Sequence, residues 1–179
     1  SVSAMIGRMR RENLVIITRE KEISLTDLGR RSADSILRRH RLAERLVVDM
    51  LGVELRFAHQ EAHRLEHAIS PYLENKILEV LSYPTTCPFG HPIPGSSYVV
   101  PSELMTLDCA KRNVSYIIER VPEDDQDLLE YFVTNDFLPD HLVIVRESSK
   151  ARGIITLECA GKELVFSYDI STLIWLRPK

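Results

Sequence analysis

Between Ser82 and Glu103 the chain carries Pro84, Pro88, Pro92, Pro94 and Pro101 with Gly90 and Gly95, a density that neither a helix nor a central strand tolerates. This stretch cuts the sequence into two textures. Before it, apolar residues recur at helical spacing; after it, short apolar runs alternate with turn residues. A single regular architecture is therefore excluded, and the 179 residues are expected to form an α+β protein.

The helical half reads in three pieces. Ser1–Met9 predicts a helix with Val2, Ile6 and Met9 on one face and an Arg-rich end. Leu14–Ile17 and Ile23–Leu25 flank the polar run Thr18–Glu22 and predict a small β-hairpin. A helix followed by such a hairpin is the second half of a winged helix-turn-helix. Its first half takes two or three further helices, which the sequence lacks ahead of Ser1. Thr26 then caps a long helix, with Asp27 in its first turn, carried by Leu28, Ala33, Ile36, Leu37, Ala43, Leu46, Val47 and Met50 to a stop at Gly52. A second stripe, Phe57, Ala58, Ala62, Leu65, Ile69, Leu73, Ile77 and Leu81, predicts a helix from Glu54 to Leu81, with a break at Pro71 and Ser70 capping the fresh segment. Two such helices carry more apolar surface than one chain covers, so a homodimer is expected.

Beyond the proline-rich stretch, Val114–Arg120, Leu142–Glu147, Gly153–Cys159, Glu163–Tyr168 and Thr172–Leu176 predict five short strands, interrupted by a helix at Asp124–Asn135. Five strands with turns such as Ala160-Gly161-Lys162 predict a small SH3-like β-barrel. The organisation expected is a partial winged helix-turn-helix over 1–25, a helical dimerisation and metal-binding domain over 26–95, a linker over 96–103 and the barrel over 104–179.

Charge adds a functional constraint. The net charge is -3, but residues 1–50 hold eleven basic against seven acidic residues, a balance of +4, so the remainder carries -7. A basic end on an acidic protein is a surface suited to a polyanion. No apolar run has the length of a membrane span, so no membrane partner is expected, and the three cysteines show no CxxC spacing, which points to a reducing cytoplasm. Cys109 and Cys159, with no polar partners nearby in sequence, are expected in the core.

Four of the six histidines fall between positions 40 and 67. On a helix, His59, His63, Glu66 and His67 project at roughly 0°, 40°, -20° and 80°, one sector of roughly 100°. His40 and Glu44 form an i, i+4 pair on the preceding helix; if the two helices run antiparallel, His59 completes a set with them. An isolated His/Glu pair of this kind is usually a solvated surface pair. Six residues in two registered sets indicate a divalent transition metal, for which imidazole nitrogen and carboxylate oxygen are suitable donors. Cys87, in Cys87-Pro88-Phe89-Gly90-His91-Pro92, is a further candidate ligand, or a buried thiol in a rigid turn. His63–His67 also matches H-x-x-E-H, the inverted zincin motif, so a zinc metallopeptidase is one alternative. The other is a non-catalytic protein-interaction module in which the histidines are incidental.

Arg39–Leu46, His59–His67 and Cys87–Gly95 resemble, in order and at matching spacing, the signature blocks of the diphtheria-toxin-repressor and manganese-repressor family. Ser1–Val15 is similar to that family's recognition helix and the start of its wing, and the C-terminal part to its SH3-like, FeoA-like domain. The resemblance implies a transcriptional repressor, not an enzyme, activated as a homodimer by Fe2+ or Mn2+, with Zn2+, Co2+ or Ni2+ able to substitute in vitro. Its partner would be double-stranded operator DNA, gripped only with a complete N-terminal domain. By position, His40, Glu44 and His59 match one metal site, to which the barrel adds Glu123 or Asp124. His63, Glu66 and His67 match the second, and Cys87 is a ligand in some manganese-type members. Ser1, Ser3, Arg8, Arg19 and Lys21 match the DNA-contacting surface. His63 departs from the family pattern, standing where iron-type members carry cysteine and manganese-type members glutamate. Protonation of the histidines is expected to weaken metal binding below about pH 6, near the ordinary imidazole pKa.

Overall fold

A computed structural model describes Ser1–Lys179. Helix α1 (Val2–Arg11) starts where the Ser1 hydroxyl accepts from the Ala4 amide and ends in Arg8, Arg10 and Arg11, cations placed at the negative end of the helix dipole; none of its residues is buried. Strands β1 (Val15–Ile17) and β2 (Ile23–Leu25) pair antiparallel, Val15 opposite Leu25, and only Val15 of this hairpin is buried.

Helix α2 (Asp27–Arg45) is seeded by Thr26, whose hydroxyl accepts from the Gly29 amide and donates to the Asn13 carbonyl. Gly29 is required there: a Cβ would stand 1.9 Å from the Leu14 carbonyl oxygen. The helix does not stop at Arg45 but widens into a π-turn over Leu46–Met50 that brings Val47 into the core, and Gly52 follows in the left-handed region at φ 69°. The break expected within 54–81 is present, and the stretch forms two helices. Helix α3 (Leu55–Leu65) ends ahead of the expected break, and α4 (Pro71–Val80) begins from Ser70, whose hydroxyl accepts from the Leu73 amide. The ring of Pro71 forces Ser70 into an extended conformation, ψ 161°, and the chain closes the gap with a tighter turn from Leu65 to Ala68. Leu42, Ala43, Ala62, Ile69, Ile77, Leu78 and Ile93 form the small core of this helical part.

The C-terminal part is one antiparallel sheet built from β3 (Met105–Thr106), β4 (Ser115–Arg120), β5 (Leu142–Ser149), β6 (Ile154–Cys159), β7 (Lys162–Ser167) and β8 (Trp175–Pro178), in the order β3-β8-β4-β5-β6-β7. Helix α5 (Gln126–Thr134) lies between β4 and β5. Two differences from the five expected strands have local causes. β3 is a two-residue pairing, too short to show a period. The last strand starts at Trp175, because the Ser167 hydroxyl caps a helical turn, α6 (Tyr168–Ser171), in its place. Register irregularities at Ile118/Arg120 and Val145/Glu147 add the local bends that bulges supply.

Cys109 corrects the sequence expectation: it is exposed, while Cys159 is buried. In the one-turn segment Leu107–Cys109, Leu107 takes the core position and Cys109 faces solvent.

The sheet's core does not end at the sheet. Phe132, Phe137 and Phe166 stack tilted at centroid distances of 5.0 to 5.8 Å, and the same cluster continues through Phe89 and Cys87 to Val47 and Ala58 of the helical part. The proline-rich stretch is thus a structured layer, not a tether. Phe89, fully buried at this seam, predicts that Phe89→Ala costs about 3–5 kcal/mol in denaturant unfolding. One cooperative transition, shifted as a whole, is the expected result; an early transition confined to the sheet would contradict a shared core.

Candidate metal centre

His40 and Glu44 lie one turn apart on the same face of α2, so their side chains meet the same neighbour. That neighbour is α3, running the opposite way: His59 stands beside Glu44, and His63 with Glu66, the residue that closes α3, stands beside His40. The His40 Nε2 atom lies 3.0 Å from Glu44 Oε1 and 3.1 Å from His59 Nδ1, and His59 Nδ1 lies 3.1 Å from Glu44 Oε1. On the other side of the same ring, His40 Nδ1 lies 2.7 Å from Glu66 Oε2. Glu123 enters from the segment that follows β4. Ligand atoms of His40, Glu44, His59 and Glu123 fall within 4.8 Å of one another, and so do those of His40, His63 and Glu66. His40, His59, His63, Glu66, Glu123 and Asp124 line an open cleft of about 640 Å³ whose remaining wall is Ala33, Ile36 and Leu37.

Five of the six histidine and glutamate candidates fall in these two groups. His40 belongs to both groups. His67 lies outside them, two-thirds exposed, with its Nε2 atom 3.2 Å from Glu66 Oε1. Of the two acids left open after β4, Glu123 is in the first group, while Asp124 is 94% exposed at 3.7 Å from His59. Cys87 is buried beside the group, its thiol donating to Glu123 Oε2 at 3.6 Å. Ser1, Ser3, Arg8, Arg19 and Lys21 are all exposed, on α1 and the hairpin.

Burial sets the electrostatics. Desolvation pulls the His40 pKa down, but hydrogen bonds and charge from Glu44 and then Glu66 outweigh it and raise the value to about 8. Both its ring nitrogens face carboxylate oxygens, and only the imidazolium has a proton for each. Glu44 is completely buried, which favours its neutral form, yet hydrogen bonds from His40 and His59 hold its pKa well below the carboxylate range. The hydrogen bond to Glu44 raises His59. At Glu123 burial, then the charge of Glu44, outweighs the lowering by His59, Arg41 and His40 and raises it to about 7. Burial, reinforced by Glu44 and Glu123, raises the Cys87 thiol as well.

One atom marks the donor set as fit for a cation. Glu44 Oε2 is buried and has no hydrogen-bond partner. A charged oxygen left alone out of water is costly, and a cation in the group answers it. Mixed imidazole and carboxylate donors suit manganese, iron and zinc.

One set of residues passed unnoticed in the sequence. Arg38, Arg41 and Arg45, at i, i+3 and i+7 of α2, donate to the carbonyls of Pro94, Pro92 and Thr86 respectively, so the helix bearing His40 and Glu44 also holds the proline-rich loop. The helical spacing was visible; the partners, backbone carbonyls, leave no mark in a sequence.

Comparison with known proteins agrees with this architecture. Residues 26–95 match the family described as iron dependent repressor, metal binding and dimerisation domain, and residues 105–178 match the FeoA domain. The iron-dependent repressor IdeR of Mycobacterium tuberculosis is 44% identical over 95 residues, which cover 53% of this chain and 41% of that protein. By that match the chain spans about two-fifths of the relative's length. IdeR of Mycobacterium leprae is 34% identical over 185 residues, covering 96% of this chain and 80% of the relative. A solved manganese-dependent transcriptional repressor in complex with manganese superposes with a TM-score of 0.87 at 29% identity, over 99% of this chain and 83% of that one. An alignment of this extent, over two family domains in this order, makes the chain a member of the iron-dependent repressor family, to which the diphtheria toxin repressor is also similar.

Proposed function

We propose that this protein is a metal-dependent transcriptional repressor of the cytoplasm, a homodimer that grips operator DNA when Fe2+ or Mn2+ occupies its ligand groups. The observation that carries the reading is the orphaned Glu44 Oε2 atom, fully buried among His40, His59 and Glu123. His40, Glu44, His59 and Glu123 hold the first ion; His63 and Glu66, with His67 alongside and Cys87 behind Glu123, extend the donors toward a second. A bound divalent cation would supply fixed positive charge in place of the Nε2 proton that His40 otherwise donates to Glu44. By linkage, whichever arrangement of α2 and α3 holds that charge best is the one favoured.

Dimerisation is supported by apolar side chains exposed on and around α4: Tyr72, Leu73 and Val80, with Met50, Leu51 and Leu65. DNA contact is assigned to Ser1, Ser3 and Arg8 of α1 and to Arg19 and Lys21 at the hairpin, all exposed. The peptidase alternative is less well supported. In H-x-x-E-H the glutamate is left free to activate water, whereas Glu66 is 4% exposed and hydrogen-bonded to His40 Nδ1 at 2.7 Å. A module with incidental histidines leaves the buried Glu44 oxygen unexplained.

Anaerobic titration of the chain with Mn2+, Fe2+ and Zn2+ tests the reading, with dimerisation followed in parallel. Saturable binding of one or two ions per chain is expected, and Glu44→Gln weakens the tighter site by at least about tenfold. Absence of saturable binding sinks the proposal. The pH dependence follows from His40. Its proton must leave before Nε2 can ligate, so affinity falls as pH drops through about 8, by about tenfold per unit for this one proton. Glu123 adds to the loss below about 7. The onset thus lies above the pH 6 expected from an ordinary histidine. Flat affinity between pH 8 and 6 would contradict it.

The metal-free protein should behave in the opposite sense. A histidine with a raised pKa contributes stability that is complete below about 6.5 and lost as pH rises through about 8. Melting of the metal-free chain is expected to show a loss of about 1–2 kcal/mol from pH 6 to 9 attributable to His40, so a smaller loss in His40→Gln, where His59 and Glu123 still titrate. Equal losses in both proteins would assign the effect elsewhere.

A further inference from the structure

We propose that the loop Thr85–Pro94 is an adapter that sets Glu123 into the ligand group, and that Gly90 is a positioning residue for Glu123. The inference rests on the reading of His40, Glu44, His59 and Glu123 as a metal site.

The loop is gripped on two sides. On one side Arg38, Arg41 and Arg45 of α2 donate to the Pro94, Pro92 and Thr86 carbonyls, and Arg45 also reaches the Cys87 carbonyl at 3.3 Å. On the other side the loop lies along the end of β4. The Val121 amide donates to the Phe89 carbonyl at 3.1 Å, and His91 Nε2 donates to the Val121 carbonyl at 2.9 Å. Further along, the Tyr98 hydroxyl donates to Glu119 Oε1 at 2.7 Å, and Arg120 lies between the Tyr98 and Trp175 rings. The same short segment that receives these contacts, Glu119–Val121, runs through Pro122 to Glu123. Proline restricts the backbone between the anchored Val121 and the ligand. Two acids that sequence separates widely, Glu44 on the helix and Glu123 beyond the sheet strand, are thus referred to one rigid loop.

Gly90 makes this approach possible. A Cβ at this position would stand 1.9 Å from the Glu119 carbonyl oxygen and 3.1 Å from the Arg120 Cα, and its φ of 87° lies where side chains are strained. Any side chain at position 90 pushes the loop off β4, and Glu123 moves with β4. The fully buried Phe89 and the buried Cys87 flank Gly90, so the seam that opens is the one closing over the Cys87 thiol.

The test compares wild type, Gly90→Ala, Tyr98→Phe, Glu123→Gln and the double variant Gly90→Ala/Glu123→Gln, titrated with Mn2+ and followed by the electron paramagnetic resonance of free Mn2+. Glu123→Gln is expected to weaken the tighter site by about tenfold or more. Gly90→Ala should weaken it to a similar extent, Tyr98→Phe by a few-fold, and the double variant no more than Glu123→Gln alone. Non-additivity of this kind marks a residue acting through Glu123; multiplied losses would mark a merely structural effect and overturn the proposal. A second readout needs no metal: alkylation of Cys87 by N-ethylmaleimide, located by mass spectrometry against the exposed Cys109. It should quicken at least tenfold in Gly90→Ala relative to Cys109. Unchanged Cys87 protection, or unchanged Mn2+ affinity in both Gly90→Ala and Tyr98→Phe, overturns the adapter. If Gly90→Ala does not fold, Tyr98→Phe with its own Glu123→Gln double decides the question. Loss of affinity in neither Glu123→Gln nor Glu44→Gln would instead overturn the metal-site reading beneath it.

Discussion

A carboxylate with no exposure must be answered by positive charge, and the middle of this protein is arranged around that demand at Glu44. Without an ion, the answer is a proton. His40, as imidazolium, spans the gap from Glu44 to Glu66, and His59 adds a second hydrogen bond to Glu44. This makeshift is incomplete, since one Glu44 oxygen remains without a partner. The packing of α2 against α3 depends on it nonetheless, because the contacts sit between the two helices where apolar side chains would otherwise meet. A divalent ion exchanged for one proton changes the local charge by about one unit, in a place where solvent screens little.

Much of this was legible in advance because helices advertise their faces. The i, i+4 spacing of His40 and Glu44 and of His59 and His63 placed them on the right sides, and Ser70 and Thr26 announced their caps. What spacing left open was which nitrogen faces which acid. An imidazole has two nitrogens, and His40 uses both, one toward Glu44 and one toward Glu66. His67 lies past Leu65, where α3 has ended, and its side chain reaches Glu66. Glu123 was reachable only through a resemblance, because its place depends on how a sheet strand two elements away packs on a loop. Cys109 shows the converse: a residue apolar enough for a core was left outside by a single tight turn.

The proline-rich stretch was the clearest mark in the sequence. Proline density argues against helix and strand, and residues 85–94, read in advance as part of the helical domain, form an anchored loop there, since prolines keep their carbonyls as acceptors and lose only amides. Arg38 and Arg41 take two of those carbonyls, from Pro94 and Pro92. Phe89 fills the seam to the sheet, whose core is continuous with Val47 and Ala58. A sheet joined in this way cannot shift without disturbing helix contacts, which is why an acid carried by the sheet can serve a centre built on helices.

The two ligand groups share a ring but not an environment. In the first, His40 and Glu44 are buried; in the second, Glu66 is buried but the His63 side chain is 72% exposed. Charge on the buried side is weakly screened and tied to the packing of α2, α3 and the sheet. Charge on the exposed side is bathed by water and tied to little. Because His40 stands between them, its Nδ1 proton faces Glu66 whether Nε2 carries a proton or an ion, so the ring keeps its orientation while the charge beside Glu44 changes.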